Sequence, residues 1–427
     1  MLTTGVMVGG ISVPATAAQV RTRRLGKGIV LKSITQRNPR LRIKVASVSP
    51  QARHRIQVVL GSGRLPGLER TSGIARRKGA VVAINGDYAR PSGRPVMAFA
   101  QAGSLLQTPL VWGRNFALTR DGEKAYIGHP HIKVELGSAA IGSVPIKKVN
   151  AGGPRKRSLA LFTRHGGTLE RPPRKGCSAR LLPEGIPRRA ATGGLRIRYR
   201  VGVVRCSGKR LRPGDGVIVS ARPHGPKSQI VRSLRGTQAT SLTWSLGWEA
   251  AYETVGGNPT LVENGRVVIG RAKPDAFYLR HPRTGVGIGP QGKIFFVTVD
   301  GRQRRSKGMT LRGFANFFRY RLGASWALNL DGGGSTTMVA GGRVLNSPSD
   351  GRERPVSSAL VVLPIGGARR SAPRMSVPGA TIWDEVVADP ASTGGLADTL
   401  VSRGRARPRS LRAAARTFRA QRAQRIK

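Results

Sequence analysis

Carboxylates are scarce in this chain. Asp and Glu number 20 against 74 Lys and Arg, a formal net charge of +54. With so few, each carboxylate inside a motif becomes a catalytic candidate. The surplus charge suits polyanions: nucleic acid, anionic lipid or acidic cell-wall polymer. The basic residues are spread along the whole chain, so an arginine-rich composition on solvated faces accounts for them equally well. Cysteine is nearly missing, with Cys177 and Cys206 alone, and neither their spacing nor their neighbours suggest a metal site. No segment has the apolar length of a transmembrane helix. Aromatic content is only 5%, and a hydrophobic content of 39% fits a soluble globular protein rather than a membrane bundle.

Glycine and proline are plentiful, at 57 and 28 of 427 residues. Frequent turns and short elements point to a β-rich fold. Apolar runs rich in Val and Ile recur between glycine turns, as in Val45–Val48, Ile56–Leu60, Val81–Ile84, Val201–Val204, Val217–Val219, Ile294–Val299 and Ala359–Leu363, and each reads as a strand. The stretch from Arg155 to Leu195 is rich in Pro, Arg and Gly and reads as long surface loops. One helix is predicted: Thr310 caps it, Phe314, Phe317, Phe318 and Leu322 share a face, and Gly323 ends it. The fold class expected is therefore α+β, mixed and β-rich, in a single catalytic domain spanning 31–365.

Residues 1–18 read as a truncated secretory signal peptide, with an Ala-x-Ala cleavage site after Ala17. A basic start is missing, so the true start would lie upstream of Met1. The competing reading is an ordinary disordered N-terminus. Residues 19–30 form a basic leader. In an exported protein Cys177 and Cys206 would pair as one disulfide; without export they read as two free thiols. Residues 366–427 form a basic extension with arginines from Arg403 to Arg425, read as largely disordered or as an amphipathic helix on an anionic surface.

The most informative stretch is Asn329-Leu330-Asp331-Gly332-Gly333-Gly334-Ser335-Thr336-Thr337. Three consecutive glycines are costly to order, and a chain tolerates them where backbone approaches something closely. Such a loop offers N–H groups, hydroxyls and one carboxylate to an anionic substrate. It is no P-loop, because the Gly-Lys-Ser/Thr ending is missing. Other polar loops follow strands in the same way: Asn85-Gly86-Asp87-Tyr88 after Val81–Ile84, and Asp300-Gly301-Arg302 after Ile294–Val299. Each alone is weak, since Asn-Gly and Asp-Gly are commonly plain turns. His129-Pro130-His131 reads as a loop rather than a zinc site. Trp244 and Trp248 are read as core, with stacking on a sugar as the alternative.

The ordered set Ala83-Ile84-Asn85-Gly86-Asp87, Gly256-Gly257-x-Pro259-x-Leu261-Val262, Arg283-Thr284-Gly285-Val286-Gly287, Val299-Asp300-Gly301-Arg302, Leu322-Gly323-Ala324, the glycine loop and Arg354-Pro355-Val356-Ser357 resembles the phosphodiester glycosidase family. The resemblance covers about Val81 to Leu363. It implies a mixed α/β fold and hydrolysis of a sugar-1-phosphodiester, N-acetylglucosamine-like, that frees the sugar. On that reading Asp331 and Asp300 are the leading catalytic carboxylates, with Asp87 and Glu353 in reserve. Asp300 has a plain turn as its alternative. Asn85, Asp87, Gly257, Arg283, Thr284, Arg302, Gly332, Gly333, Gly334, Ser335, Thr336 and Arg354 are the candidate substrate-binding residues. The arginines would hold phosphate oxygens, unless Arg354 is tied to Asp350 or Glu353. No metal or cofactor is called for. The expected partners are a phosphorylated glycan and an anionic wall polymer or membrane surface; nucleic acid is not expected. An exported, envelope-associated hydrolase is the leading reading, and an inactive polyanion-binding protein on the same scaffold is its rival.

Overall fold

Val82, Ala83, Ile84 and Asn85 are all fully buried in the computed structural model, and a run with no exposed face suits an inner strand. The structure describes residues 18–52, 54–166, 176–191, 193–206, 210–237, 239–270 and 275–365. The expected signal peptide, save Ala18, and the basic extension lie outside the described residues. Strand Val82–Asn85 sits at the centre of a five-stranded antiparallel sheet. Met338–Ala340 and Arg343–Val344 lie on one side of it, Ser358–Pro364 and His54–Leu60 on the other.

A second sheet of eight strands runs Gln19–Gly26, Ile29–Gln36, Leu41–Val48, Ile294–Val299, Arg283–Ile288, Trp326–Asn329, Thr260–Glu263 and Arg266–Val267. Its first strand lies within the expected basic leader. A third sheet of five runs Ser104–Gln107, Phe99–Gln101, Glu253–Gly257, Arg114–Leu118 and Ala125–Gly128. The three share one core: Val82 and Ile84 from the first, Val286, Phe296 and Leu328 from the second, Phe99, Phe116 and Val255 from the third. Each large side chain there contributes about 1.5–3 kcal/mol by leaving water. Glu253 pins two sheets together, accepting from Val58 N (3.0 Å) and Ala102 N (3.1 Å). Burial pushes its carboxyl up to about 8.

Between the Ala125–Gly128 and Glu253–Gly257 strands the chain builds a separate closed barrel. Its strands run Cys177–Pro183, Val217–Ala221, Leu159–Thr163, Gly142–Val149, Lys133–Ser138, Ala239–Ser245 and Leu195–Arg205, and the last pairs back onto the first. Closure leaves these strands no free edge. Among the described residues this corrects the surface loops expected from Arg155 to Leu195; residues 167–175 and 192 of that stretch lie outside them. Leu159–Thr163 is buried along its whole length, and Leu195, Ile197 and Tyr199 alternate inward with exposed Arg196, Arg198 and Arg200. The surrounding Pro, Arg and Gly hid two strands inside that stretch, Leu159–Thr163 and Cys177–Pro183. A disulfide joins Cys177 to Cys206, stapling the two strands that close the barrel.

Helices are few and short: Thr71–Lys78, Pro226–Arg232 and Leu311–Asn316, so "mixed" fits this β-rich fold only loosely. The predicted helix forms. Thr310 Oγ1 accepts from Gly313 N, Phe314 packs edge-on against Phe318 at 5.0 Å, and the last residues, Phe317–Arg321, widen into a π turn. Gly323 stands beyond it at φ 66°. The chain then enters Trp326–Asn329 and delivers the glycine loop to one end of the core sheets.

Candidate active site

Asn85 closes its strand and is 0% exposed. Its Nδ2 donates to the Asp331 carbonyl at 2.6 Å, while its Oδ1 accepts from Thr284 Oγ1 (2.8 Å) and Thr337 N (3.1 Å). Asp331 N donates to the Gly86 carbonyl at 3.1 Å. One amide therefore clamps both ends of the glycine loop to two sheets. Asn85 and Thr284, expected to touch substrate, spend these polar atoms on that clamp.

The clamp brings Asp331 and Asp87 together. Asp331 is partly buried, and burial pushes its carboxyl up to about 6. Hydrogen bonds from Ser335 and from Gly332 N, with the charge of Arg354, pull the other way. Asp87 is 1% exposed. Burial, with the neighbouring Asp331 charge adding to it, pushes Asp87 up to about 8 against the hydrogen bond from Met97 N. Met97 N reaches Asp87 Oδ2 at 2.8 Å; Oδ1 is buried with no partner among the described residues. Gly256 leaves the space: a Cβ there would lie 2.2 Å from Met97 Cβ and 2.7 Å from Asp87 Oδ2. Gly257 packs in the same way against the Asn329 carbonyl.

A second polar knot lies beside the pair. Tyr88 OH donates to the Asn258 carbonyl (2.8 Å) and accepts from Asn329 Nδ2 (2.6 Å). Burial and the charge of Asp331 push the Tyr88 hydroxyl well above its ordinary range, so it stays a donor. Asn329 Oδ1, Thr336 Oγ1 and Thr337 Oγ1 are buried without partners among the described residues. Buried polar atoms left open in one neighbourhood cost free energy unless something binds there.

The glycine triplet makes room for arginines and spends two of its amides within the fold. Gly332 N turns toward the Asp331 carboxyl and Gly333 N donates to the Pro282 carbonyl at 3.0 Å. The Arg302 guanidinium lies 3.4 Å from where a Gly333 Cβ would stand. At Gly334 a Cβ would meet Asp350 Oδ2 at 2.1 Å and Arg354 Nη2 at 2.2 Å. Arg354 is paired with Asp350 at 2.6 Å, as its alternative reading had it, and is half exposed. Arg302 is exposed and has no carboxylate partner among the described residues; its guanidinium faces His281 Nδ1. Two guanidinium groups thus border the loop that carries Asp331.

Other candidates are placed elsewhere. Arg283 is buried, with its guanidinium on the carbonyls of Met309, Phe277 and Leu279 and its plane near the Phe277 ring. Asp300 accepts from Ser347 N (3.0 Å) and from Asn346, with Lys44 and Arg42 as its charged neighbours. Asn346 in turn donates to the Thr336 carbonyl. Asp300 thus braces the loop from behind, and its carboxyl partners among the described residues are Ser347 N and Asn346 rather than Asp331. Glu353 caps the start of helix Thr71–Lys78 through Ser72 N. Ser335 and Thr336 stay in the loop, Ser335 on Asp331. Tyr88, Asn258, Asn329 and Met97 were not given a role from sequence; Tyr88 and Asn329 stood inside quoted motifs and Asn258 at an open position of one, without a pattern to mark them.

A loop shaped around Arg354 has a measurable consequence. Gly334→Ala collides only with the ends of two flexible side chains, so stability should change by about 1 kcal/mol or less. The Arg354–Asp350 pair must swing away, and the KM for an anionic substrate should rise roughly tenfold through a lost charge-assisted contact. An unchanged KM with an unchanged melting temperature would contradict this placement of Arg354.

The family described as phosphodiester glycosidase matches residues 199–363, which bears out the resemblance read from the motifs. The matched range holds Asp300, Asp331 and the three arginines, while Asn85 and Asp87 precede it. The uncharacterized prophage-derived protein YomE of Bacillus subtilis is 38% identical over 84 residues, 20% of this chain and 13% of that protein. Among solved structures, a hypothetical protein from Synechocystis shares the fold at TM-score 0.60 and 20% identity, over 82% of this chain and 64% of that one. A Burkholderia pseudomallei protein assigned as exported does so at 0.53 and 21%, over 78% and 74%. The catalytic domain of zebrafish N-acetylglucosamine-1-phosphodiester alpha-N-acetylglucosaminidase aligns at 0.42 and 15%, over 83% and 85%.

Proposed function

We propose that this chain, similar over residues 199–363 to phosphodiester glycosidases, hydrolyses a glycosyl 1-phosphodiester and frees the sugar. Asp331 and Asp87 are the reacting carboxyls in this reading, in place of Asp331 and Asp300, and residues 31–365 are the catalytic domain. The observation that carries it is that the Asn85 clamp sets Asp331 beside Asp87, with Asp87 Oδ2 on Met97 N and Oδ1 unpartnered among the described residues, and burial pushes Asp331 up to about 6 and Asp87 up to about 8. Carboxyls pushed apart in this way divide into base and acid. Asp331 supplies negative charge to the anomeric carbon as its bond to the phosphate oxygen breaks. The bonding electrons leave with that oxygen, and a proton from Asp87 Oδ1 settles on it. Water's oxygen bonds the anomeric carbon, and a proton of that water restores Asp87. Arg302 and Arg354 hold the phosphate charge.

The sugar is N-acetylglucosamine-like and the setting is an envelope or extracellular glycan. The Cys177–Cys206 disulfide supports export. The chain concentrates on phosphate-bearing polymer through exposed arginines, with Arg196, Arg198 and Arg200 in a row on the barrel. Polymer retention should weaken as salt rises from 50 to 500 mM; retention that ignores salt would remove this part.

The hydrolase reading is tested by reducing-sugar release from UDP-N-acetylglucosamine and related sugar-1-phosphodiesters, with Asp331→Asn as control. Equal release by both proteins removes Asp331 from the chemistry. The exposed arginine row also favours a second reading, a polyanion-binding protein on the same scaffold, and no release across the panel would support it.

A further inference from the structure

Trp244 and Trp248 are the tryptophans that sequence reading offers to a sugar, and the structure uses both otherwise. Trp244 is 4% exposed with its Nε1 on the Gly103 carbonyl; Trp248 stacks on Tyr126. Trp112 is different. It is 77% exposed, the most exposed large apolar side chain among the described residues. Its ring stacks on His129 at 5.3 Å with planes 23° apart, and His129 Nδ1 is within hydrogen-bond distance of the Gly113 carbonyl at 3.1 Å. One indole face is therefore backed and the ring's orientation is set. A lone exposed tryptophan needs no explanation, but one braced on another ring does.

Its neighbours tie it to the candidate site. Leu110 N and Val111 N both donate to the Val96 carbonyl, one residue before the amide that binds Asp87. Gly113 lies against the Met97 side chain, where a Cβ would come within 2.7 Å of Met97 Cε. Arg114 Nη1 reaches Asn258 Oδ1 at 3.5 Å, and the Asn258 carbonyl takes the Tyr88 hydroxyl. Trp112 is thus held between two anchors that both end on the residues around Asp87. The arginines border the glycine loop instead, at Gly333 and Gly334.

We infer that Trp112, backed by His129, is the stacking platform for the sugar ring that the reaction releases. With the phosphate at the arginines and the anomeric carbon at the carboxyls, the ring lies on the Asp87 side, to which the neighbours of Trp112 are anchored. The apolar C–H face of a pyranose covers an aromatic face well, and an indole offers large area at little rotamer cost. The inference rests on the assignment of Asp331 and Asp87 as the reacting pair.

The test titrates free N-acetylglucosamine, glucose, mannose and galactose against the intact chain while tryptophan emission is followed. Trp112→Phe and Trp112→Ala are run in parallel, with dimethyl phosphate as a sugar-free ligand and calorimetry as the second readout. At least one sugar should change the emission of the parent. That change should vanish in Trp112→Phe, whose calorimetric affinity should stay within about threefold because an aromatic face remains. Trp112→Ala should weaken the sugar at least tenfold more than it weakens dimethyl phosphate. Equal sugar affinity in the parent and Trp112→Ala overturns the inference. If Trp112→Ala hydrolyses a sugar-1-phosphodiester with the parent's KM, the inference falls and the hydrolase stands. If the sugar signal is present and depends on Trp112 but no ester is cleaved, the inference stands and the hydrolase falls.

Discussion

Asparagine in place of Asp331 is expected to lower kcat by about a hundred- to ten-thousandfold while the melting temperature stays within a few degrees. The carboxyl is partly open to solvent and its bonds to Ser335 and Gly332 N need only an acceptor, which the asparagine Oδ1 provides. What disappears is the charge. The pH profile of the parent should be bell-shaped. Asp331 must lose its proton, so kcat/KM rises as pH climbs through about 6. Asp87 must keep its proton, so kcat/KM falls as pH climbs through about 8. Asp87→Asn should keep the acid limb, lose the alkaline limb and run slowly throughout. A profile flat from pH 5 to pH 9 would sink the division of labour between the two aspartates.

Asn85→Ala is expected to destabilise the fold by roughly 3–5 kcal/mol, among the largest effects of any single change. It strands the Asp331 carbonyl, the Thr284 hydroxyl and the Thr337 amide, all bonded to this one side chain. Each buried group left unpaired costs on the order of 1–3 kcal/mol. Asn85→Asp separates shape from bonding. It fills the same volume and still accepts from Thr284 and Thr337, but it turns an oxygen toward the Asp331 carbonyl. Chemical denaturation should rank the parent first and both variants well below it. If Asn85→Ala lost less than about 1 kcal/mol while only KM rose, Asn85 would be a substrate contact as first read, and the clamp would be wrong.

The sequence placed the glycine loop correctly after a strand, because a buried run ending in Asp-Gly-Gly-Gly has few other uses. It also found the helix before that strand, through Thr310 and the spacing of its phenylalanines. It read the barrel only in part. Val201–Val204 and Val217–Val219 were read as strands, while Leu159–Thr163 and Cys177–Pro183 lay inside a Pro-, Arg- and Gly-rich stretch that looks like loop by composition. The roles within the motifs were the hardest part. Asp87 and Asp300 both follow a strand and precede or follow glycine, so local sequence cannot rank them. Their difference is made by residues far away: Met97 and Gly256 enclose Asp87, while Ser347, Asn346, Lys44 and Arg42 surround Asp300. Arg283, Arg302 and Arg354 looked alike for the same reason. Only burial distinguishes the first, whose guanidinium is taken up by three backbone carbonyls. Trp112 carried no signal at all in sequence, since its partner His129 and its anchors at Val96 and Asn258 come together only in the fold.

In the proposed reaction the bond broken lies between the anomeric carbon and the phosphate oxygen. Hydrolysis in ¹⁸O-labelled water, followed by mass spectrometry of both products, tests it most directly. Attack at carbon, as drawn for Asp331 and Asp87, places the label in the released sugar and leaves the phosphate monoester unlabelled. Label in the phosphate, with an unlabelled sugar, would mean attack at phosphorus, and the two aspartates would then be doing different chemistry from that proposed.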